Sequence, residues 1–390
     1  MIEKWTDENG RSWSYVRVDG GAVISHGVVE LPKATLEMQK RPAVTPAPTG
    51  IFSLPSKING MPLVGIGICG MAGCDQIQEL TIPEGVEFIA EYAFANCRQL
   101  RSVHIPPSVT GVAKMAFAYC AELKSLHIQD LSAWTRMNQK YTQSSNTVWF
   151  KCPGHDIYVG GNLLESVRVD HVESLVEAVV FGNCRSIKQV AFGTGVKKVE
   201  STFPDCPNLQ QCSLPDSVEE IGFRTFYNCP LLRKLDFSGK HLKRLSASAF
   251  ENAPSELVEV ENGLRYYKGW CLGAADELFV RRPPVVRMRD GTIGVAGTAF
   301  TGHSFIETMI VPPSVECVEP LAFHNMIRLR KIYFEGRMPA MRGAILNRNC
   351  DMFSPAVKIY VLKDVWGGVG MQKGVQGRGV NVFAVTSFEM

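Results

Sequence analysis

No stretch of about 18 continuous apolar residues occurs in the chain, so no segment is expected to span a bilayer as a helix. Charge of one sign is not in surplus either: 41 Lys and Arg against 38 Asp and Glu leave a net +3, too little to point to nucleic acid or to an anionic membrane. The opening residues, Met1-Ile-Glu-Lys-Trp5, lack a basic segment followed by an apolar run, so no signal peptide is expected. Two readings stay open, a cytoplasmic protein or one whose leader has been removed. Cys-x-x-Cys is absent, which argues against a structural zinc site. Neither Gly-x-Ser-x-Gly nor a Gly-Lys-Ser/Thr ending is present to support a nucleophile elbow or a phosphate loop. An enzyme is not expected, nor is a cofactor or a metal.

What the sequence does have is a period. Ile82-Pro83, Phe94, Cys97 and Leu100 return as Ile105-Pro106, Phe117, Cys120 and Leu123, each displaced by 23 residues, and again as Leu214-Pro215, Phe226, Cys229 and Leu232. A fixed period of that size marks a solenoid of stacked units. The strand position, the apolar residue before the Pro, falls at Ile82, Ile105, Ile128, Val169, Phe192, Leu214, Phe237, Met288, Val311 and Phe334. A Phe position about twelve residues later reads Phe94, Phe117, Phe181, Phe203, Phe226, Phe250, Phe300 and Phe323. Within one unit Val103 and Ile105 point one way and Ser102 and His104 the other, the alternation of a short strand that Pro106 ends. Val109 and Val112 mark a second extended stretch, and Lys114 to Cys120 is expected to make about one helical turn. One unit cannot bury its own apolar face, so equivalent residues must stack on one another. Length alone suggests two or three domains; the repeats point instead to one elongated domain.

The strand-end Ile-Pro or Leu-Pro, the Val-x-x-Ile of Val86 to Ile89 and Val218 to Ile221, the Ala-Phe pair, and the Asn-Cys of Asn96-Cys97, Asn183-Cys184 and Asn228-Cys229 together resemble the BspA-like leucine-rich repeat family. The resemblance runs from about Leu54 to Phe334. It implies a strand-dominated α/β repeat solenoid, curved and right-handed, with a parallel sheet on the concave face and short helical turns elsewhere. It also implies binding of other macromolecules, often at a cell surface, and no catalytic residues. The chain departs from the pattern at Gln129, where Pro is missing, and around Leu257 to Val286.

Three regions follow. Residues 1–53 hold a hairpin, Trp13 to Ile24 around Asp19-Gly-Gly, that is expected to cap the open edge, and then a Pro-rich linker at 42–50. Residues 54–334 form the solenoid, with insertions at 129–168 and 257–287. Residues 335–390 form a Gly-rich cap, with Lys358-Ile-Tyr-Val-Leu as a last strand.

Six of the twelve cysteines, Cys74, Cys97, Cys120, Cys184, Cys206 and Cys229, share one repeat position, which Ala253, His303 and Met326 fill in later rungs. A site that accepts Ala or Met needs a small or apolar plug, so free buried thiols are expected. Gly65-Ile-Gly-Ile-Cys-Gly70 spells a dinucleotide fingerprint, yet in register it turns within a rung and no helix follows. His104 and His127 share an outward position and should be neighbours, with Arg168 next in the series. No third metal ligand follows in register.

The expected function is macromolecular recognition through the concave strands, with Ser102, His104, Ser125, His127, Arg168, Gln189, Gln211 and Asp236 presented to a protein or glycan. Aromatics of the first insertion, Trp134, Tyr141 and Trp149, are a second candidate surface, unless they cover the core where a rung is irregular. The alternative is an intracellular scaffold that associates through those aromatics or its termini, and a weaker third reading places an enzyme site in the 129–168 insertion.

Overall fold

Alternation within Ser102–Ile105 is realised as a strand in which Val103 and Ile105 are buried while His104 is exposed. The computed structural model describes residues 1–26, 41–113, 115–135, 152, 154–169, 181–254, 256–342, 357–362 and 381–385. They form a strand-dominated solenoid of parallel sheets with few helices. The chain divides into two compact units, Met1–Pro215 with Asn228–Asp236, and Asp216–Tyr227 with Phe237–Met390.

In the first unit one row of strands forms a six-stranded sheet. Its order is Asn162–Leu163, Asp156–Val159, Ser125–Ile128, Ser102–Ile105, Ile77–Thr81 and Gly50–Ser53, all parallel except the first. A separate parallel sheet holds Ser166–Val169, Gln189–Phe192, Gln211–Ser213 and Lys234–Asp236. A second row pairs Met61–Ile66 with Phe88–Ile89 and then Gly111–Val112. The N-terminal strands extend that row, because Gly21–Ile24 runs parallel to Met61–Ile66. The glycines that spell a nucleotide fingerprint serve this junction. A Cβ on Gly67 or Gly70 would meet the Ile24 carbonyl oxygen at 2.9 or 2.7 Å. The segment expected as an unstructured Pro-rich linker also contributes a strand: Val44–Thr45 pairs with Ser12–Trp13, since neither residue is Pro and both are β-branched.

The expected helical turn is not helical. From Met115 to Cys120 each second amide closes a three-residue turn, as Ala118 N does on Met115 O, while the amides between are left to the neighbouring rung. One rung earlier, Phe94 N and Asn96 N donate to Ala116 O and Ala118 O at 2.8 and 2.9 Å. This arrangement needs a left-handed residue just before the Cys, which explains the Asn-Cys pair: Asn96, Asn183 and Asn228 have φ of 60°, 60° and 55°. Asn enters that region more readily than most side chains. Among the described residues helix is confined to short pieces such as Leu131–Thr135, Asp276–Arg281 and the 3-10 turn Ala247–Phe250.

Phe columns form the core. Phe94 stacks on Phe117 at 5.2 Å and Phe181 on Phe203 at 5.4 Å. In the second unit Phe226 stacks on Phe250 and Phe300 on Phe323, both at 5.9 Å. The cysteines beside these columns are more than plugs. The thiols of Cys97, Cys120, Cys206 and Cys229 donate to the carbonyls of Met71, Phe94, Phe181 and Phe203, at 3.4, 3.2, 3.0 and 3.1 Å. Each reaches a carbonyl one rung back, and those of Met71 and Phe181 also accept from the Cys74 and Cys184 amides. All eleven described cysteines are free thiols.

The second unit has its own parallel row, Val285–Arg287, Thr308–Val311, Lys331–Phe334, Lys358–Leu362 and Asn381–Val385, so the strand expected as last has one more beyond it. Asn262-Gly263 turns a hairpin between Glu259–Glu261 and Leu264–Tyr267, with left-handed φ at both residues. Tyr266 and Trp270 of this insertion are buried.

Candidate functional site

Two columns of side chains line the open face of the six-stranded sheet. One is Glu79, Ser102, Ser125 and Asp156; the other is Thr81, His104, His127 and Tyr158. Parallel register places equivalent side chains directly above one another, and the rings respond by stacking. His104 and His127 lie 4.3 Å apart at 11°, and His127 and Tyr158 lie 4.8 Å apart at 13°. Ring faces are thereby used against neighbouring rings. Ring edges, with the imidazole nitrogens and the phenol oxygen, and the outer faces of the two terminal rings are what remain for solvent or a partner. His104 is exposed, while His127 and Tyr158 are half-buried.

The electrostatics follow from that stacking. Partial burial, reinforced by repulsion from His104, lowers the pKa of His127 against a smaller opposing pull from Glu79. Asp156 is held by Arg185, with Nη2 3.3 Å from the carboxylate. Ser125 Oγ donates to Arg101 O at 3.4 Å. Among the described residues no group of three or more His, Cys, Asp or Glu is placed to hold a metal. No helix among them is long and apolar enough to cross a membrane.

The structure joins only part of the expected site. Ser102, His104, Ser125 and His127 are in adjacent strands as expected. Arg168 is not the next neighbour of His127, because the insertion contributes an unforeseen rung, Asp156–Val159, whose Tyr158 takes that place. Arg168 instead opens the separate four-stranded sheet, aligned with Ala191, Ser213 and Asp236, while Gln189 and Gln211 align with Ser166 and Lys234. Arg168, Gln189, Gln211 and Asp236 are exposed there. Trp134, on the short helix Leu131–Thr135, is buried, so its ring covers the core. Tyr141 and Trp149 lie outside the described residues. Sequence reasoning missed Glu79 and Asp156, and it met Tyr158 only as an aromatic of the insertion, not as a member of this sheet. The signal for Asp156 and Tyr158 was the alternation Asp156-Ile-Tyr-Val159, hidden because Gly160-Gly161 follows in place of Pro.

No curated protein matches the chain. Among solved structures it is similar to a leucine rich cell surface protein from Faecalibacterium prausnitzii, at 15% identity over 100% of this chain and 99% of that one, with a TM-score of 0.41. It is similar also to a leucine-rich repeat protein from Bacteroides ovatus, at 16% identity, 99% and 88% coverage and a TM-score of 0.42. A leucine rich repeat protein from T. pallidum is similar at 19% identity over 59% of this chain and 87% of that one, with a TM-score of 0.33. None of these assigns a role to this chain. Six copies of the BspA type leucine rich repeat region match at residues 66–173 and 160–273, together just over half of the sequence. Proteins built from such repeats are generally interaction or surface modules and generally not enzymes. Carrying these repeats through both the aligned Phe columns and the ring ladder, the chain belongs to the BspA type leucine rich repeat family.

Proposed function

We propose that the protein is a non-enzymatic recognition module that binds a protein partner across the open face centred on His104, His127 and Tyr158. That face is the concave one in the family resemblance, and a cell surface is the setting the resemblance suggests. The observation that carries the reading is the stacked ring ladder itself. Sugars pack against free ring faces, and here both faces of His127 and the inner faces of His104 and Tyr158 are occupied by neighbouring rings. Exposed edges offer N–H and O–H groups that suit the carbonyl and carboxylate acceptors of a protein surface. Prepaid stacking also holds the rings in place, so little side-chain freedom is lost on binding. Association through aromatic insertions has less support, since Trp134, Tyr266 and Trp270 are buried.

The test is affinity capture with the full chain, identification of the partner, and titration of that partner against face variants. Alanine at His104, His127 and Tyr158 together should weaken binding by roughly 10- to 100-fold. Alanine at Gln189 and Gln211 should leave it unchanged. Undiminished binding by the triple variant would remove this face from consideration.

A further inference from the structure

One rung of the cysteine ladder differs from the rest. Cys152 continues the series, its Sγ donating to Phe117 O at 2.8 Å just as Cys120 Sγ donates to Phe94 O at 3.2 Å. The two thiols also lie within hydrogen-bonding reach of each other, so the single proton of Cys120 can turn from Phe94 O toward the Cys152 sulfur. Cys152 is the one described cysteine that is not buried; the other ten are. Successive rungs stand about 4.8 Å apart, within the Cα separations a disulfide spans.

We propose that Cys120 and Cys152 are a redox-sensitive pair, a modification site at which a low-molecular-weight disulfide such as glutathione disulfide closes a Cys120–Cys152 cross-link. The Cys152 thiolate attacks one sulfur of the glutathione disulfide; that S–S bond breaks, and the departing glutathione thiolate takes up a proton. Cys120 then gives up its proton, its sulfur attacks the Cys152 sulfur of the mixed disulfide, and a second glutathione leaves. Two protein thiols lose two electrons in all, and one glutathione disulfide is reduced to two thiols.

The surroundings favour Cys152 as the attacking group. With its S–H turned toward Cys152, Cys120 lowers the Cys152 pKa, whereas burial pushes Cys69 up to about 11 and Cys97 and Cys229 up to about 12. Cys120 can serve as the resolving thiol because the acceptor of its own S–H is a neutral carbonyl oxygen, that of Phe94. Position gives the pair a consequence. Cys120 leads into the strand of His127 and Cys152 into the strand of Tyr158, so the cross-link would tether two rungs of the ring ladder. That consequence rests on the recognition reading; the chemistry does not.

The reduced full chain is freed of reductant, exposed to excess glutathione disulfide, and analysed by intact mass and non-reducing peptide mapping. Two thiols should disappear, with one peptide joining Cys120 to Cys152. Cys152→Ser should show no cross-link, and Cys120→Ser should accumulate glutathione on Cys152. Native iodoacetamide should label Cys152 roughly 100-fold faster than Cys97. The His104, His127 and Tyr158 triple alanine variant should still cross-link, whatever its binding. No thiol loss in the wild type, or a cross-link that uses other cysteines and survives Cys152→Ser, would overturn the proposal.

Discussion

His155 offers a quantitative handle on the rung that sequence reading missed. It stands at the start of the Asp156–Val159 strand, fully buried, with its amide donating to Asn183 O at 2.9 Å and its carbonyl accepting from Arg185 N at 2.8 Å. Burial first, and repulsion from Arg185 second, lower its pKa from 6.5 to about 3. An unfolded chain protonates this imidazole below about pH 6.5, while the folded chain resists until about pH 3. Stability from this group is therefore complete above the unfolded value, falls as pH drops through the window between the two, and levels off below it. At pH 4.5 the loss is roughly 2–3 kcal/mol relative to neutral pH. His155→Leu keeps a side chain of comparable bulk and removes the titration. Urea midpoints followed by circular dichroism at pH 7 and 4.5 measure the effect, and carboxylates that titrate in both proteins cancel in the comparison. The acid loss should be smaller by about 2–3 kcal/mol in the variant. Equal losses in the two proteins would mean that His155 is not buried in its neutral form, and that this rung is misplaced.

Three further outcomes follow from the packing. Phe117→Ala removes a fully buried ring that stacks on Phe94, and should cost about 3–5 kcal/mol in chemical denaturation. At Asn96, with φ of 60°, Val should cost about 1–2 kcal/mol while Gly stays close to the wild type, read from paired thermal melts. In the second unit the Glu319 carboxylate is buried and lies 3.2 Å from both Arg244 Nε and Arg342 Nη1. Because the two Arg side chains remain partly exposed, Glu319→Ala should cost about 2 kcal/mol rather than the full value of a buried pair, measured by calorimetry.

The core was legible because stacking demands identity: a Phe column needs Phe at the same place in each rung, so Phe94 and Phe117 announce themselves in the sequence. Strand ends were legible for the same reason wherever Pro follows. Asp156–Val159 was not, since the 40 residues lying between Ile128 and Val169 concealed a rung lacking both Pro and Phe. The local path from Met115 to Cys120 misled in another way. Ala-rich stretches favour helix by propensity, and only bonding to a neighbouring rung, which no single unit contains, makes alternating turns the better solution. In the candidate site His104 and His127 were visible as a repeat pair, whereas the third ring depended on the concealed rung. The thiol donors were read as apolar filler because Ala and Met occupy the same place elsewhere, and nothing in a substitution pattern reveals which carbonyl a sulfur faces.

That sulfur ladder has a spectroscopic use. Sulfhydryls committed to carbonyl acceptors vibrate at lower frequency than unbound ones, and they absorb where peptide and water bands are sparse. The wild-type chain thus carries an intrinsic infrared and Raman reporter on the interior of its first unit, at Cys97, Cys120, Cys206 and Cys229. Loosening of adjacent coils would register as a shift of that band without any label or mutation.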